Sequence, residues 1–363
     1  MRRLGRAAKP LTRRIGSLPA GPLLLALLLA LLLAGLPAAP LPLAAAESAV
    51  IFLYQRFSDP RFPSASIDVT QFEAHLGAIA EGGFTVAPLS EVVAAFRRRD
   101  TLPERTIALS IDDADASVYA EAWPRLRKAG VPFTLFVSTD VVDAGRPGYL
   151  TWDQIRELAA SGVTIGNQTA SQPHLPELEH EAKSREISRA SQRFNEELGF
   201  APRLFAYPFG AYGLADRRAV KELGFEAAFG QQSGVGHPDA DLYGLPRFLM
   251  TDAYGSLDRF RLAANALPLY VDDLTPADTV LGPAHNPPSF GFTLAEDQGT
   301  LDDLDCYASN GTDPLRLERL GARRVEVRLA VPFAPGRARI NCTLPGPDGR
   351  WRWLGLQFFI PGG

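Results

Sequence analysis

Two adjacent carboxylates, Asp112 and Asp113, follow directly after the β-branched and apolar run of residues 106–111. That run predicts a buried strand. Parallel α/β folds place their chemistry at the carboxyl ends of strands, where neighbouring side chains point apart. One carboxylate could therefore bind a metal while the other takes a proton from a water molecule. Asp-Asp pairs also cap helices and close turns, so the pair alone leaves its role open.

Two further polar segments also follow predicted strands. The first contains Gln168 and Gln172, with Pro173-His174 directly after them, and the second is Tyr207-Pro208-Phe209-Gly210. His174 could serve as a substitute ligand or as an acid, and the alternative is a packed histidine whose ring is satisfied by backbone. Residues 207–210 are equally compatible with a buried strand that ends in a turn.

The elements that must position these residues repeat along the chain. From residue 50 to residue 248, short β-branched or aromatic runs alternate with helical stretches, a pattern typical of βα units. Thr70 and Glu73 predict a capping box at the start of one of these helices. At least six repeats favour a barrel over an open sheet.

The order of these motifs resembles that of the polysaccharide deacetylases of the NodB-homology type, carbohydrate esterase family four. The resemblance covers roughly residues 50–250 and rests on the Asp-Asp strand end, the Gly-Asn-x-Thr-x-Ser segment and the Tyr-Pro-Phe-Gly strand end. It implies an α/β fold, a distorted (β/α)7-type barrel. It also implies hydrolysis of N- or O-acetyl groups on a glycan with a divalent metal, zinc, cobalt or nickel.

The resemblance assigns roles to individual residues. Asp112 corresponds to the general base and Asp113 to a metal ligand, whereas the two histidine ligands of the family correspond to Gln168 and Gln172. The segment 207–209 corresponds to the acetyl pocket, in which a backbone amide helps to hold the oxyanion. Gln55 stands in the opening strand where the family commonly has another histidine. Since the side-chain oxygen of a glutamine is a weak metal ligand, the metal site is expected to be dismantled or rebuilt.

Three functions remain open on these residues. The first is an exported deacetylase acting on a cell-envelope or chitooligosaccharide-type glycan, with Asp112 as base, His174 as a further catalytic group, and a metal on Asp113, Gln168 and Gln172. The second is a pseudoenzyme that binds the acetylated glycan through Tyr207, Pro208 and Phe209 but lacks the metal. The third is metal-free hydrolysis by Asp112, Asp113 and His174.

The first 46 residues predict a secretory signal peptide. A basic head precedes the Leu- and Ala-rich run of residues 23–36, and Ala44-Ala45-Ala46 resembles a cleavage site. We therefore expect a periplasmic or extracellular protein, which contacts a membrane only if this segment is uncleaved. Without these residues, which carry six of the 37 basic and none of the 41 acidic residues, the net charge is −10. An acidic surface argues against nucleic acid as a partner.

The sequence pattern changes after Met250. Residues 47–268 are assigned to the barrel, 269–282 to a linker and 283–363 to a small all-β domain, because residues 324–329 alternate strictly and residues 351–360 are rich in aromatic side chains. Cys306 and Cys342 are the only cysteines. An oxidising compartment favours a disulfide between them.

Overall fold

The computed structural model describes residues 45–296 and 298–362. The predicted signal peptide lies outside these residues except for its last two alanines, which form the short strand β1, Ala45–Ala46, paired with residues 102 and 103. Within the described part of the chain, no helix combines the length and the apolar character that a membrane span requires.

A curled half-barrel of mostly parallel strands forms the first part of the fold. Its nine strands run in the order β11-β10-β9-β8-β7-β2-β12, with β13 added beside β2 and β5 beside β7. The strands up to β13, in chain order, are β2 Ala49–Tyr54, β3 Arg56–Phe57, β4 Ser66–Ile67, β5 Thr85–Val86, β6 Leu102–Pro103, β7 Thr106–Ile111, β8 Phe133–Val137, β9 Thr164–Asn167, β10 Leu204–Ala206, β11 Ala227–Phe229, β12 Val235–Gly236 and β13 Phe248–Leu249.

Helices cover the outside of this sheet, as βα connections require. They are α1 Val69–Glu81, α2 Leu89–Arg98, α3 Trp123–Ala129, α4 Thr139–Asp143, α5 Trp152–Ala160, α6 His180–Leu198, α7 Leu214–Glu222 and α8 Leu257–Ala264. A wide turn, Val118–Ala122, leads into α3. The side chain that caps α1 is Asp68, which accepts from the Thr70 amide, so the predicted capping box at Thr70 is replaced by a cap two residues earlier.

The central strands are buried on both faces. Every residue of β2, β7 and β8 is buried, which is typical of a parallel sheet that has helices on one side and packed side chains on the other. The register pairs Val50 with Ile107 and Tyr54 with Ile111. This pairing brings the carboxyl ends of β2 and β7 together and places the residues that follow them at one end of the sheet.

Two four-stranded sheets form the C-terminal part of the fold. Their strands are β14 Leu267–Pro268, β15 Val271–Thr275, β16 Phe290–Leu294, β17 Asp305–Ala308, β18 Arg316–Leu320, β19 Arg324–Arg328, β20 Gly336–Pro345 and β21 Trp351–Ile360. One sheet has the order β14-β21-β20-β17 and the other β15-β16-β19-β18. Their inner faces share one apolar core. Cys306 and Cys342 lie directly opposite each other on β17 and β20 and form the predicted disulfide.

The predicted linker, residues 269–282, is partly a strand. β15 lies inside it and pairs with β16, with Val271 opposite Leu294. Leu267 and Pro268, assigned to the barrel, pair with β21 of the C-terminal domain. The prolines of this stretch suggested an irregular connection. The sequence did not reveal the strands β14 and β15, because their partners β21 and β16 lie further along the chain. The strands of the two C-terminal sheets therefore begin at β14.

Candidate active site

Asp112 lies at the end of β7 and is fully buried. Its amide donates to the Tyr54 carbonyl at 2.9 Å, which extends the pairing with β2 by one residue. Both carboxylate oxygens accept from Arg247, at 2.7 Å from Nη1 and 2.9 Å from Nη2. This guanidinium is itself fully buried and also donates to the Gly230 carbonyl and to Ser110 Oγ. The two charges therefore neutralise each other in a fixed, bidentate geometry.

Asp113 turns away from this pair into a cluster of carboxamides. Gln55 Nε2 donates to Asp113 Oδ2 at 3.0 Å, and Gln172 Nε2 donates to Oδ1 at 2.5 Å. The Asp113 amide donates to Gln168 Oε1 at 3.1 Å. Burial, and next the negative charge of Asp112, raise the pKa of Asp113 to about 6. The hydrogen bond from Gln172, the positive charge of Arg56 and the contact with Gln168 oppose this rise of the pKa only in part.

The local backbone explains how the cluster is held. Asp113, Thr169 and Gln172 all have a positive φ, at 76°, 68° and 61°. Such conformations cost energy in residues other than glycine and are found where surrounding contacts enforce them. Asn167 Oδ1 accepts from the Thr169 amide at 2.7 Å, and Ser138 Oγ donates to the Gln168 carbonyl at 2.8 Å. These contacts fix the loop that carries both glutamines.

His174 packs against two aromatic rings. Its ring is 4.5 Å from the ring of Phe209 and 5.2 Å from that of Phe359, between centroids. Within the described residues, its Nδ1 atom is buried without a hydrogen-bond partner. The observed surroundings are aromatic, and a catalytic role for His174 stays a prediction.

Tyr207 and Pro208 are buried, and Phe209 is partly buried. Tyr207 is fully buried, its hydroxyl donates to the Tyr243 carbonyl at 2.8 Å, and its amide donates to the Phe229 carbonyl at 3.0 Å. The Tyr207 amide is therefore engaged in the sheet. Pro208 carries no amide proton. Of the three residues, Phe209 is the one whose amide could hold an oxyanion, and this role stays a prediction.

The residues around Asp113 do not fit the transition metal that the resemblance implies. Zinc, cobalt and nickel sites in proteins are built mainly from imidazole, thiolate and carboxylate. Residues 45–296 and 298–362 contain no group of three or more His, Cys, Asp or Glu arranged for a metal ion. Both Asp113 oxygens also receive amide hydrogens. The misfit therefore lies in the ligand types around Asp113, which are carboxamides instead of imidazoles.

One central residue of this site was missed from the sequence. Arg247 pairs with a residue 135 positions earlier in the chain. Its sequence signal is the placement of a single cation among apolar neighbours in Leu245-Pro246-Arg247-Phe248. A charged residue in an apolar strand usually has a buried partner. The partner itself could not be deduced from the sequence, because the pairing depends on how the sheet curls.

Comparisons with known proteins show which sequences and structures the chain is similar to. Residues 99–228 match the sequence family described as polysaccharide deacetylase. The poly-beta-1,6-N-acetyl-D-glucosamine N-deacetylase of Staphylococcus epidermidis is 25% identical over 175 residues, which are 45% of this chain and 61% of that enzyme. This chain therefore spans less than two thirds of that relative.

Solved structures share the fold. The deacetylase PplD of Streptococcus pyogenes, in complex with acetate, superposes with a TM-score of 0.56 at 18% identity and covers 61% of this chain and 99% of its own. IcaB from Ammonifex degensii superposes with a TM-score of 0.54 at 24% identity and covers 60% of this chain and 97% of its own. Residues 99–228 thus match the polysaccharide deacetylase family in sequence, and the half-barrel has the fold of solved deacetylases.

Proposed function

We propose that this protein binds an acetylated glycan on a deacetylase-type half-barrel and does not hydrolyse it by metal-dependent chemistry. The observation that carries the proposal is the set of neutral carboxamides around Asp113, among which Gln55 and Gln172 each donate one hydrogen bond to its carboxylate. Each oxygen keeps a second lone pair, but the described residues offer no group of three imidazole, thiolate or carboxylate ligands there, and carboxamides are weak metal ligands. The pseudoenzyme hypothesis is therefore favoured over the metal-dependent one.

The ligand class follows from the relatives. The Staphylococcus epidermidis relative is named for poly-beta-1,6-N-acetyl-D-glucosamine, so β-1,6-linked N-acetylglucosamine oligomers are the first ligands to test. The predicted signal peptide and the net charge of −10 without it are consistent with an exported protein that meets a glycan rather than nucleic acid.

Deacetylation remains the second candidate function, and the retained Asp112 favours it. This carboxylate stands at the predicted position of the general base, and Arg247 fixes its orientation through two hydrogen bonds. Such preorganisation is a requirement of a catalytic group. The same pairing also satisfies a buried charge in a protein without catalysis.

One experiment separates the two functions. The purified protein is titrated with a β-1,6-linked N-acetylglucosamine pentamer by calorimetry, and acetate release is followed on the same oligomer with zinc, cobalt or nickel added. The Staphylococcus epidermidis enzyme serves as the positive control. We expect binding without acetate release. Metal-dependent acetate release that disappears in Asp113→Ala would overturn the proposal in favour of deacetylation, and the absence of binding would overturn glycan recognition.

A further inference from the structure

Two arginines of β20 lie on the face that is turned towards the half-barrel. Ala338 and Ile340 of this strand belong to the apolar core of the C-terminal sheets, and successive side chains of a strand point to opposite faces. Arg337 and Arg339 therefore lie side by side on the other face, where Gln357 of β21 stands opposite Arg339. Arg337 is exposed and Arg339 is half-buried. Both guanidinium groups are thus placed outside the core of the C-terminal sheets.

A hydrogen-bond network fixes these arginines against the half-barrel. Arg337 Nη1 donates to the Phe209 carbonyl at 3.0 Å and to Gln231 Oε1 at 3.3 Å. Arg339 Nε donates to Gln357 Oε1 at 3.0 Å, and Gln357 Nε2 in turn donates to the Phe209 carbonyl at 3.0 Å. Every acceptor in this network is a neutral amide or carbonyl group. The network therefore holds the two arginines without cancelling their charges.

The same network reaches the residues that hold Asp112. Gln231 directly follows Gly230, and the Gly230 carbonyl accepts from Arg247 Nε at 2.8 Å. Arg247 is the bidentate partner of Asp112. The strands β7 and β11, which precede Asp112 and Gly230, belong to one run of parallel strands. The arginine that contacts Gln231 therefore lies at the same end of the half-barrel as the candidate site.

Neither arginine has a counter-ion in the described part of the chain. No carboxylate there forms an ion pair with Arg337 or Arg339, and Arg337 Nε and Nη2 and Arg339 Nη1 and Nη2 have no protein acceptor. Burial, and next the positive charge of Arg337, lower the pKa of Arg339. Two like charges thus stand together with unused N–H groups. An oxyanion would stabilise this arrangement through charge-assisted hydrogen bonds.

The charge of the whole chain sets this pair apart. Without the predicted signal peptide the net charge is −10, which repels anionic ligands in general. An anionic ligand is therefore attracted only locally, where positive groups lie together. An uncharged sugar needs no such pair, because its hydroxyl groups can bond to neutral donors and acceptors.

We propose that Arg337 and Arg339 form a subsite for an oxyanion substituent of the glycan, such as the carboxylate of a uronic acid. The ligand is then an acidic acetylated polysaccharide, whose acetylated sugar lies on the half-barrel and whose charged sugar lies against β20. The inference rests on the proposed glycan binding and deepens it, because it names the charge of the ligand. It also gives the C-terminal domain a direct part in recognition.

The test compares two ligands that differ only in charge. One is a hexasaccharide of alternating N-acetylglucosamine and glucuronic acid, and the other is the same hexasaccharide with its carboxyl groups reduced to alcohols. Both are titrated by calorimetry against the wild type and against Arg337→Gln/Arg339→Gln. Inorganic phosphate is titrated as a free anion, and the N-acetylglucosamine pentamer as an unrelated neutral ligand.

Two further variants serve as controls. Arg316 and Arg328 are exposed and stand opposite each other on β18 and β19, so Arg316→Gln/Arg328→Gln removes the same charge elsewhere in the C-terminal sheets. Arg339→Gln alone leaves the contact of Arg337 with the Phe209 carbonyl intact. The Tm of each variant is measured alongside its binding.

We expect the wild type to bind the carboxylated hexasaccharide about tenfold more tightly than the reduced one. Arg316→Gln/Arg328→Gln should keep this preference, Arg339→Gln should lose part of it, and Arg337→Gln/Arg339→Gln should lose it entirely. If the wild type binds both hexasaccharides equally well, or binds only the pentamer, the anion subsite is wrong while glycan binding stands.

Three other results would overturn the inference. If Arg337→Gln/Arg339→Gln weakens the binding of both hexasaccharides alike, the arginines act by holding the loop of Phe209, and the charge contact is wrong. Phosphate binding as tight as that of the carboxylated hexasaccharide would make the pair a site for free anions. If the wild type binds neither the hexasaccharides nor the pentamer, both this inference and the proposed glycan binding fail.

Discussion

Two neighbouring carboxylates at the end of β7 have opposite surroundings. Asp112 is fully buried against the guanidinium of Arg247, whereas Asp113 is partly buried among the carboxamides of Gln55, Gln168 and Gln172. A guanidinium cancels the charge of its partner, but amides only solvate it. The pKa of Asp113 is accordingly raised to about 6, by burial and by the charge of Asp112. The two carboxylates thus differ in that Asp112 has a cationic partner and Asp113 has neutral amide partners.

The largest expected effect comes from breaking the Asp112 pair. Arg247→Met leaves a buried carboxylate without a partner, which costs about 3–5 kcal/mol in the free energy of unfolding. Urea denaturation measures this loss. Asp112→Asn in the same background removes the stranded charge and should restore part of the stability. An Arg247→Met variant as stable as the wild type would show that the pair does not neutralise a buried charge.

A smaller and opposite effect is expected at Asp113, and it depends on pH. The folded chain holds this proton up to a pH of about 6, whereas the ordinary value for an aspartate is 3.8. The folded state therefore binds more protons than the unfolded state between these values, and ionisation of Asp113 lowers stability as the pH rises.

Asp113→Asn removes this titration. Between pH 4 and 6, the variant should gain up to about 2 kcal/mol in unfolding free energy relative to the wild type, a figure reduced for the partial exposure of the group. Parallel denaturation series at several pH values measure the difference. A stability difference that is constant with pH would contradict the raised pKa.

The smallest effect concerns a single amide contact. Gln172→Ala removes the donor to Asp113 Oδ1 and should cost about 1 kcal/mol, since the remaining amides and water still solvate the carboxylate. A double-mutant cycle with Asp113→Ala isolates the contact. We expect the cost of Gln172→Ala to vanish in the Asp113→Ala background. An unchanged cost there would mean that Gln172 stabilises the loop by other contacts.

The fold could be predicted to a large extent because its signals are local. Alternating strands and helices, the buried run of β7 and the strict alternation of β19 are legible in the sequence. The C-terminal β sheets could also be recognised from the sequence, but their first strands could not. The pairing of β15 with β16 is not encoded in the residues of β15 alone. The curl of the half-barrel sheet could not be predicted either, because it depends on how the strands and helices pack.

Several residues singled out in the sequence contact one another in the structure, but these contacts could not be predicted. Asp112, Asp113, Gln55, Gln168 and Gln172 were all singled out, since each stands at a strand end or at a motif position. The sequence did not indicate that the glutamines would direct amide hydrogens at Asp113. It also did not reveal Arg247, because its partner Asp112 lies 135 residues earlier in the chain.

Metal content is the most direct test of the central claim that Asp113 is held by amides instead of a metal. The wild type, Asp113→Ala and Gln168→His/Gln172→His are incubated with zinc, cobalt or nickel, desalted and subjected to elemental analysis. We predict that the wild type and Asp113→Ala retain far less than one metal per chain, while the double-histidine variant approaches one because imidazole supplies the missing ligands. A stoichiometric metal in the wild type that is lost in Asp113→Ala would contradict the account.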